Sequence, residues 1–156
     1  MQKPYYEKFE YEVPDNWWHS SDYYNLPLDE FLAVLKKAIR NGFTVGLGGD
    51  VSEPGKSAEL DVFMVPDFDI PSEYIDENAR QFRFSNQTTT DDHGIHLVGY
   101  LNKPDQNWYL IKDSGAGSRN GNNKGYYFFT EDYIKLKIMD YIVHKDALGD
   151  LINKFK

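Results

Sequence analysis

Residues 90–100, TDDHGIHLVGY, place two histidines and two aspartates just before a run in which apolar side chains alternate with others. Such alternation is typical of a half-buried β-strand, which we predict over 95–101. In that strand His96 points to the face opposite its apolar neighbours, whereas His93 lies at the mouth of the strand. A histidine in that position is well placed to act as a base, and the alternative is a pair of surface histidines.

A second predicted strand, over 108–111, follows a turn, and Asp113 comes just after its end. If the two strands are antiparallel neighbours, the end of the second lies beside the beginning of the first. The carboxylate of Asp113 then accepts the imidazole N–H of His93 and holds one tautomer, which is half of a catalytic triad. The alternative is a loop aspartate that caps its own backbone.

Three other functions are weighed for the same segments. Asp92, His93 and His96 suggest a metal site, although the strand geometry need not let the two imidazoles converge. Residues 114–125, SGAGSRNGNNKG, resemble a phosphate-binding glycine loop, but a predicted strand and not a helix follows them. Ser114 lacks the Gly-x-Ser-x-Gly pattern of a serine nucleophile. We therefore expect a hairpin loop, no metal and no cofactor.

The rest of the sequence predicts an α+β domain. Residues 1–25 mix aromatic residues with turn formers and show no periodicity, which indicates an irregular arm anchored by its rings. The clearest element is a helix over 28–40, with acidic residues first, basic residues last and Asn41-Gly42 as its stop. The other predicted elements are strands at 43–47, 60–65, 126–129 and 138–143, a turn at 52–55, a helix at 72–82, a helix that begins at Thr130, and a helix or tail at 145–155.

Composition excludes several classes of function. The 156 residues suit a single domain, residues 1–156, in which 26–156 form the β-rich part. The formal charge of −8 argues against nucleic acid or an anionic membrane as a partner. The sequence has no run that suits a signal peptide or a membrane span, so we expect a cytoplasmic protein if Met1 is the natural start. The sequence has no cysteine, and it therefore supplies no disulfide, thiolate ligand or cysteine nucleophile.

Several segments together resemble the papain-like cysteine peptidases, in the branch of bleomycin hydrolase and bacterial aminopeptidase C. The resemblance extends from about Asp15 to Ala147 in the order of the family, and its most specific part is the histidine block with the following strand, residues 89–100. The other matching segments are DNW at 15–17, YYNLPLDEF at 23–31, NGFTV at 41–45, GDVSEPG at 49–55, RQ at 80–81, WYLIKDS at 108–114, GYY at 125–127 and VHKDA at 143–147.

The resemblance implies the right-hand lobe of the papain fold, an antiparallel, barrel-like sheet with a few helices. In that family a cysteine of the other lobe attacks the peptide carbonyl, a histidine takes its proton and an asparagine orients the imidazole. His93 matches that histidine. Asp113 stands at the asparagine position, where it can still accept the imidazole N–H, and Gly115 replaces the tryptophan that shields this hydrogen bond.

The resemblance and the lack of a cysteine together predict the histidine-bearing lobe of a bleomycin hydrolase-like peptidase. We expect this lobe to be inactive alone, and to be either a fragment or a subunit that a cysteine-bearing lobe completes in trans to act on a peptide substrate. The alternative is a non-catalytic pseudoenzyme, with His93 and Asp113 vestigial, that binds peptide or another protein. An unpaired interlobe surface also predicts self-association or another partner.

Overall fold

The computed structural model describes residues 3–52 and 55–156. Within them the chain has a mixed α and β structure, consistent with the α+β class, in which a seven-stranded sheet lies beside a two-stranded one. The helices are α1 (Leu28–Arg40), α2 (Glu77–Ser85) and α3 (Glu131–Lys137). The strands are β1 (Lys8–Phe9), β2 (Tyr23–Tyr24), β3 (Val45–Gly49), β4 (Lys56–Ser57), β5 (Val62–Phe63), β6 (His93–Asn102), β7 (Asn107–Lys112), β8 (Tyr126–Thr130) and β9 (Ile138–Ile142).

The large sheet has the strand order β4-β5-β8-β7-β6-β3-β9. Strands β6, β7 and β8 form the predicted antiparallel series, but β5 pairs with β8 in parallel. The prediction that the sheet closes into a barrel is wrong. A barrel requires its first and last strands to pair, and in the described residues β4 and β9 lie at opposite ends of the order, with β4 only two residues long.

Helix α1 has the bounds that the sequence predicts, because one face of it is apolar and its end has a glycine. The side chains of that face are buried, and Leu35 and Ala38 are completely so. Burial of a leucine side chain contributes about 2 kcal/mol to the free energy of unfolding. The helix ends before Gly42, whose φ of +83° is a left-handed conformation that glycine adopts without strain.

The second predicted helix begins later than expected. Residues Ser72–Tyr74 form a 3₁₀ turn, and α2 begins only at Glu77. The side chain of Asp76 determines this start, because its carboxylate accepts a hydrogen bond from the Ala79 N–H at 2.8 Å and so caps the helix. Helix α3 begins after Thr130 as predicted, and the Thr130 side chain caps it in the same way.

The other predicted elements form in shorter or displaced versions. The strand predicted at 43–47 is displaced to Val45–Gly49, and the one at 60–65 is reduced to Val62–Phe63. The segment 145–155 forms two 3₁₀ turns. The described part of the arm, residues 3–25, is irregular except for a 3₁₀ turn at Pro14–Asn16 and the pairing of β1 with β2. Part of the turn predicted at 52–55 lies outside the described residues.

The core lies on one face of the large sheet, under α1 and α3. Its largest side chains are aromatic, and Phe63 packs against three other rings with centroids 4.6 to 5.3 Å apart, those of Tyr127, Phe129 and Tyr133. No helix in the described parts of the chain is long and apolar enough to cross a membrane. The opposite face of β3 carries only glycines, and this leaves space for the cleft described below.

Gly49 lies at the end of β3, where the backbone of a neighbouring segment approaches it closely. A Cβ atom there would lie 2.4 Å from the Lys137 carbonyl oxygen and 2.9 Å from Ile138 Cα, both of which are backbone atoms. We expect Gly49→Ala to lower the free energy of unfolding by about 1–3 kcal/mol in urea denaturation. The control is Gly94→Ala on β6, where nothing lies within 4 Å of the Cβ position. Equal losses in both variants would contradict this explanation.

Candidate active site

His93 and Asp113 meet at one end of the β6–β7 pair. His93 is the first residue of β6, and Asp113 directly follows the last residue of β7. Because the strands are antiparallel, with His96 opposite Lys112, the start of one lies beside the end of the other. The His93 Nε2 atom lies 2.8 Å from Asp113 Oδ1. The structure thus brings together the two residues that the sequence singles out.

The surrounding backbone fixes Asp113 more firmly than His93. The Asp113 N–H donates to the Gly125 carbonyl oxygen at 2.9 Å, and Asp113 Oδ1 accepts from the Gly115 N–H at 2.8 Å. The Asp113 carbonyl oxygen accepts from Ser118 Oγ at 3.0 Å. The Asp113 side chain is 11% exposed and that of His93 is 30% exposed. The carboxylate is therefore a fixed acceptor, while the imidazole still reaches solvent.

This geometry selects one tautomer of the histidine. A carboxylate oxygen accepts hydrogen bonds, so the neutral imidazole carries its proton on Nε2 and donates it to Asp113. Nδ1 then keeps its lone pair and is the nitrogen that can take a proton from a reacting group. The arrangement can act as a general base with an orienting group, in a chain that has no cysteine of its own.

Gly115 leaves this hydrogen bond without a side-chain cover. A Cβ atom at position 115 would lie 3.2 and 3.3 Å from the two carboxylate oxygens of Asp113 and 3.5 Å from His93 Nε2. A large side chain at this position would therefore lie directly on the hydrogen-bonded pair. Because the residue is glycine, water can compete for the same donor and acceptor.

The remaining predicted candidates line the cleft described below but form no hydrogen bond with the side chains of His93 and Asp113 in the described structure. Asp92 accepts a hydrogen bond from the Val51 N–H at 3.1 Å, and His96 is exposed on the other face of the strand. In residues 3–52 and 55–156, no three histidine, aspartate or glutamate side chains form a group that could hold a metal ion. Ser114 is exposed, and a short 3₁₀ turn and then β8 follow it, with no phosphate-binding helix start.

Asp91 and Asp140 form a second polar feature, which we call the carboxyl pair. Asp91 precedes β6, Asp140 lies in β9, and both extend over Gly48 of β3. A Cβ atom on Gly48 would lie 2.6 Å from Asp140 Oδ1 and 3.1 Å from Asp91 Oδ1. Burial, followed by the nearby Asp140 carboxylate, raises the pKa of Asp91 to about 7, and burial also raises the pKa of Asp140. The pair therefore holds a shared proton in mildly acidic solution.

The sequence interpretation gave the carboxyl pair no role, since its two members are distant in sequence. The glycines at alternate positions of β3 were the available signal, because they leave one face of that strand without side chains. The pair lines an open cleft of about 2190 Å³ that also reaches Gly94, Asp113 and Ser114, next to His93. The two polar features thus border the same cleft.

Comparison with known proteins identifies the fold. No family model matches this chain, and no curated protein matches it. It is similar to the crystal structure of PepW from Lactobacillus rhamnosis HN001 (DR20), with a TM-score of 0.67 and 17% sequence identity. The alignment covers 97% of this chain and 35% of PepW, so the chain spans about a third of the length of PepW. At this identity the similarity shows the fold alone.

The hydrogen bond between His93 and Asp113 can be tested by ¹⁵N NMR of the imidazole. We expect neutral His93 to be protonated on Nε2 in the wild-type protein, because Asp113 accepts that proton. Asp113→Ala should abolish this preference, whereas Asp113→Asn should keep it through the amide oxygen. A spectrum that is the same for wild type and Asp113→Ala would show that the carboxylate does not orient the ring.

The carboxyl pair predicts a dependence of stability on pH. The pKa of Asp91 is about 7 in the folded protein and about 3.9 in an unfolded chain. Between these values the folded state holds a proton that the unfolded state has lost, so the free energy of unfolding falls as the pH rises.

Asp91→Asn replaces the ionisable carboxyl group by a neutral amide, so the variant no longer loses stability as the pH rises. Its free energy of unfolding should exceed that of the wild type by about 1–3 kcal/mol at pH 7 and by much less at pH 4.5. The measurement is urea denaturation at both pH values, with Asp105→Asn in an exposed loop as the control. A difference between Asp91→Asn and wild type that does not change with pH would rule out this titration.

Proposed function

We propose that this chain is the histidine-bearing lobe of a papain-like cysteine peptidase of the bleomycin hydrolase branch. The observation that carries the proposal is the 2.8 Å contact between His93 Nε2 and Asp113 Oδ1 at the border of a large cleft. The similarity to PepW in fold and the order of the matching sequence segments support it. A cysteine-bearing lobe, either a separate subunit or another part of the same polypeptide, completes the enzyme.

In the completed enzyme His93 is the general base. Its Nδ1 takes the proton of the cysteine thiol, and the resulting thiolate attacks the carbonyl carbon of the scissile peptide bond. The imidazolium then returns the proton to the leaving amine. Asp113 keeps Nε2–H directed away from the reacting atoms throughout, and it also stabilises the charge that the ring carries between the two proton transfers.

The replacement of asparagine by Asp113 is compatible with this role. Both side chains present an oxygen acceptor at the same position, and Asp113 is already held there by the Gly115 N–H and by its own backbone bond to Gly125. The chain alone should not hydrolyse peptides, because an oriented base without a nucleophile provides only a small part of the usual rate enhancement.

The test is to co-express this chain with a papain-like cysteine-bearing lobe and to measure hydrolysis of an aminoacyl-amide substrate. We expect the complex to be active. His93→Ala should lower its activity by a factor of about 10² or more, because it removes the general base. Asp113→Ala should lower it by less, because it removes only the group that orients that base. Asp113→Asn should retain most of the activity.

The matched control is His144→Ala, which removes an exposed histidine, 58% accessible, that does not line the cleft. It should leave the rate unchanged. Activity that survives His93→Ala would contradict the assigned role, and so would a stable complex of the two lobes that shows no activity with any variant.

The second candidate is a non-catalytic domain that binds peptide or another protein. The observation that favours it is the uncovered hydrogen bond at Gly115, together with two exposed indole rings, Trp17 at 76% and Trp18 at 58%. This function requires self-association or a stable partner complex through an exposed surface. Light scattering that shows a monomer over a wide range of concentrations would count against self-association.

A further inference from the structure

Residues 10–21, which we call the strap, form the loop between β1 and β2, and hydrogen bonds within this loop hold it together. Asn16, only 3% exposed, lies at its centre. Asn16 Nδ2 donates to the carbonyl oxygens of Tyr11 and Ser20, both at 2.9 Å, and Asn16 Oδ1 accepts from the Ser20 N–H at 2.9 Å. These hydrogen bonds join parts of the strap to one another and not to the rest of the protein, so the strap can move as one unit.

The base of the strap is fixed by strand pairing and ring stacking, and an aromatic ring in its middle packs against the body of the protein. At the base β1 pairs with β2, and the ring of Tyr24 stacks on Phe155 with centroids 4.4 Å apart. Farther along, the ring of Tyr11 stacks on Phe84 of α2 with centroids 6.0 Å apart. The buried Tyr11 hydroxyl faces the carboxyl pair, and the two carboxylates add to the effect of burial in raising the pKa of Tyr11.

The charges around the carboxyl pair balance only while it holds one proton. The cation that faces it in the described structure is Arg80 of α2, which donates to two backbone carbonyl oxygens, those of Lys135 and Met139, at 2.7 and 3.0 Å. Burial lowers the pKa of Arg80 to about 10, so its guanidinium stays charged at neutral pH. One arginine compensates one carboxylate, and the second carboxyl group must be neutral.

The strap brings further negative charge to this position. Asp15 of the strap raises the pKa of both members of the pair, and the Tyr11 hydroxyl that faces Asp91 lowers the pKa of Asp91 by a smaller amount. The neighbouring Tyr11 and Tyr23 also have raised pKa values, chiefly through burial, and they remain neutral over the physiological range. Loss of the shared proton therefore leaves a second buried negative charge that faces the Asp15 carboxylate.

We propose that the strap is a proton-controlled cover of the cleft, closed over the carboxyl pair while the pair shares a proton and released when that proton is lost. In the open state water reaches the two carboxylates and solvates their charge. The sign follows from linkage, because the closed state binds the proton more tightly than the open state. Opening therefore becomes more favourable as the pH rises from about 4, the ordinary value for an aspartate, to about 7, the pKa of Asp91 in the closed state.

Release of the strap changes access to the whole cleft. The strap residues Glu10, Tyr11, Asp15 and Trp18 line the same cleft that reaches Asp113 beside His93. Loss of the proton from the carboxyl pair therefore changes the access of solvent and ligands to the site at His93 and Asp113. This inference does not rest on the proposed peptidase function, because the movement of the strap can be measured without any substrate or partner.

The test is hydrogen exchange of the full chain, followed by mass spectrometry between pH 4.5 and 7.5. The exchange of a peptide that contains residues 10–21 is corrected for the chemical exchange rate and compared with that of a β6 peptide, residues 95–101. In the wild type the opening constant of the strap should rise by up to about tenfold per pH unit within this range, while that of β6 changes much less.

Asp91→Asn and Asp140→Asn are the informative variants, since each leaves a single ionisable group in the pair, and either one suffices if the other does not fold. Both should keep the strap protected at pH 7.5. Asp105→Asn, in an exposed loop, should behave as the wild type. Strap protection that is independent of pH in the wild type would overturn the proposal, as would the same pH dependence in the wild type and in the folded Asn variants.

Discussion

The glycines of β3 determine how closely its neighbour β9 can approach. At each of them a Cβ atom would lie within 3 Å of an atom of β9 or of the residue before it: Ile142 at Gly46, Asp140 at Gly48 and the Lys137 carbonyl oxygen at Gly49. Side chains on β3 would push β9 outward and would separate the two carboxylates that share a proton. The edge of the sheet, the end of α3 and the floor of the cleft therefore all depend on the absence of side chains from these three positions of β3.

Local patterns in the sequence predicted the parts of the fold that local forces determine. The apolar face and glycine stop of α1 and the alternation in β6, β7 and β8 were sufficient for those elements, and the antiparallel order then placed Asp113 near His93. The patterns could not predict what depends on distant segments. The sheet stays open because of how β4, β5 and β9 pair, and the carboxyl pair exists only because β3 brings Asp91 beside Asp140.

In the candidate site the side chain of Asp113 is held rigidly, whereas that of His93 has more freedom to move. Backbone hydrogen bonds from both sides of a loop hold Asp113, whereas the imidazole of His93 bonds to Asp113 and is partly exposed to solvent. Such a division suits a general base, since the acceptor sets the direction of the ring and the ring can still adjust. The geometry of the pair is built entirely from residues of this chain.

The hydrogen bonds of Asn16 have a consequence for rates. A loop that unfolds when it opens must regain its backbone order before it can close, and each ordered residue costs about 1–2 kcal/mol in conformational entropy. The strap keeps its internal bonds, since Asn16 joins Tyr11 to Ser20 without using the rest of the protein. Its movement is a rotation about a short two-stranded base, and motions of that kind occur within microseconds to milliseconds. Closure is therefore not delayed by any local refolding.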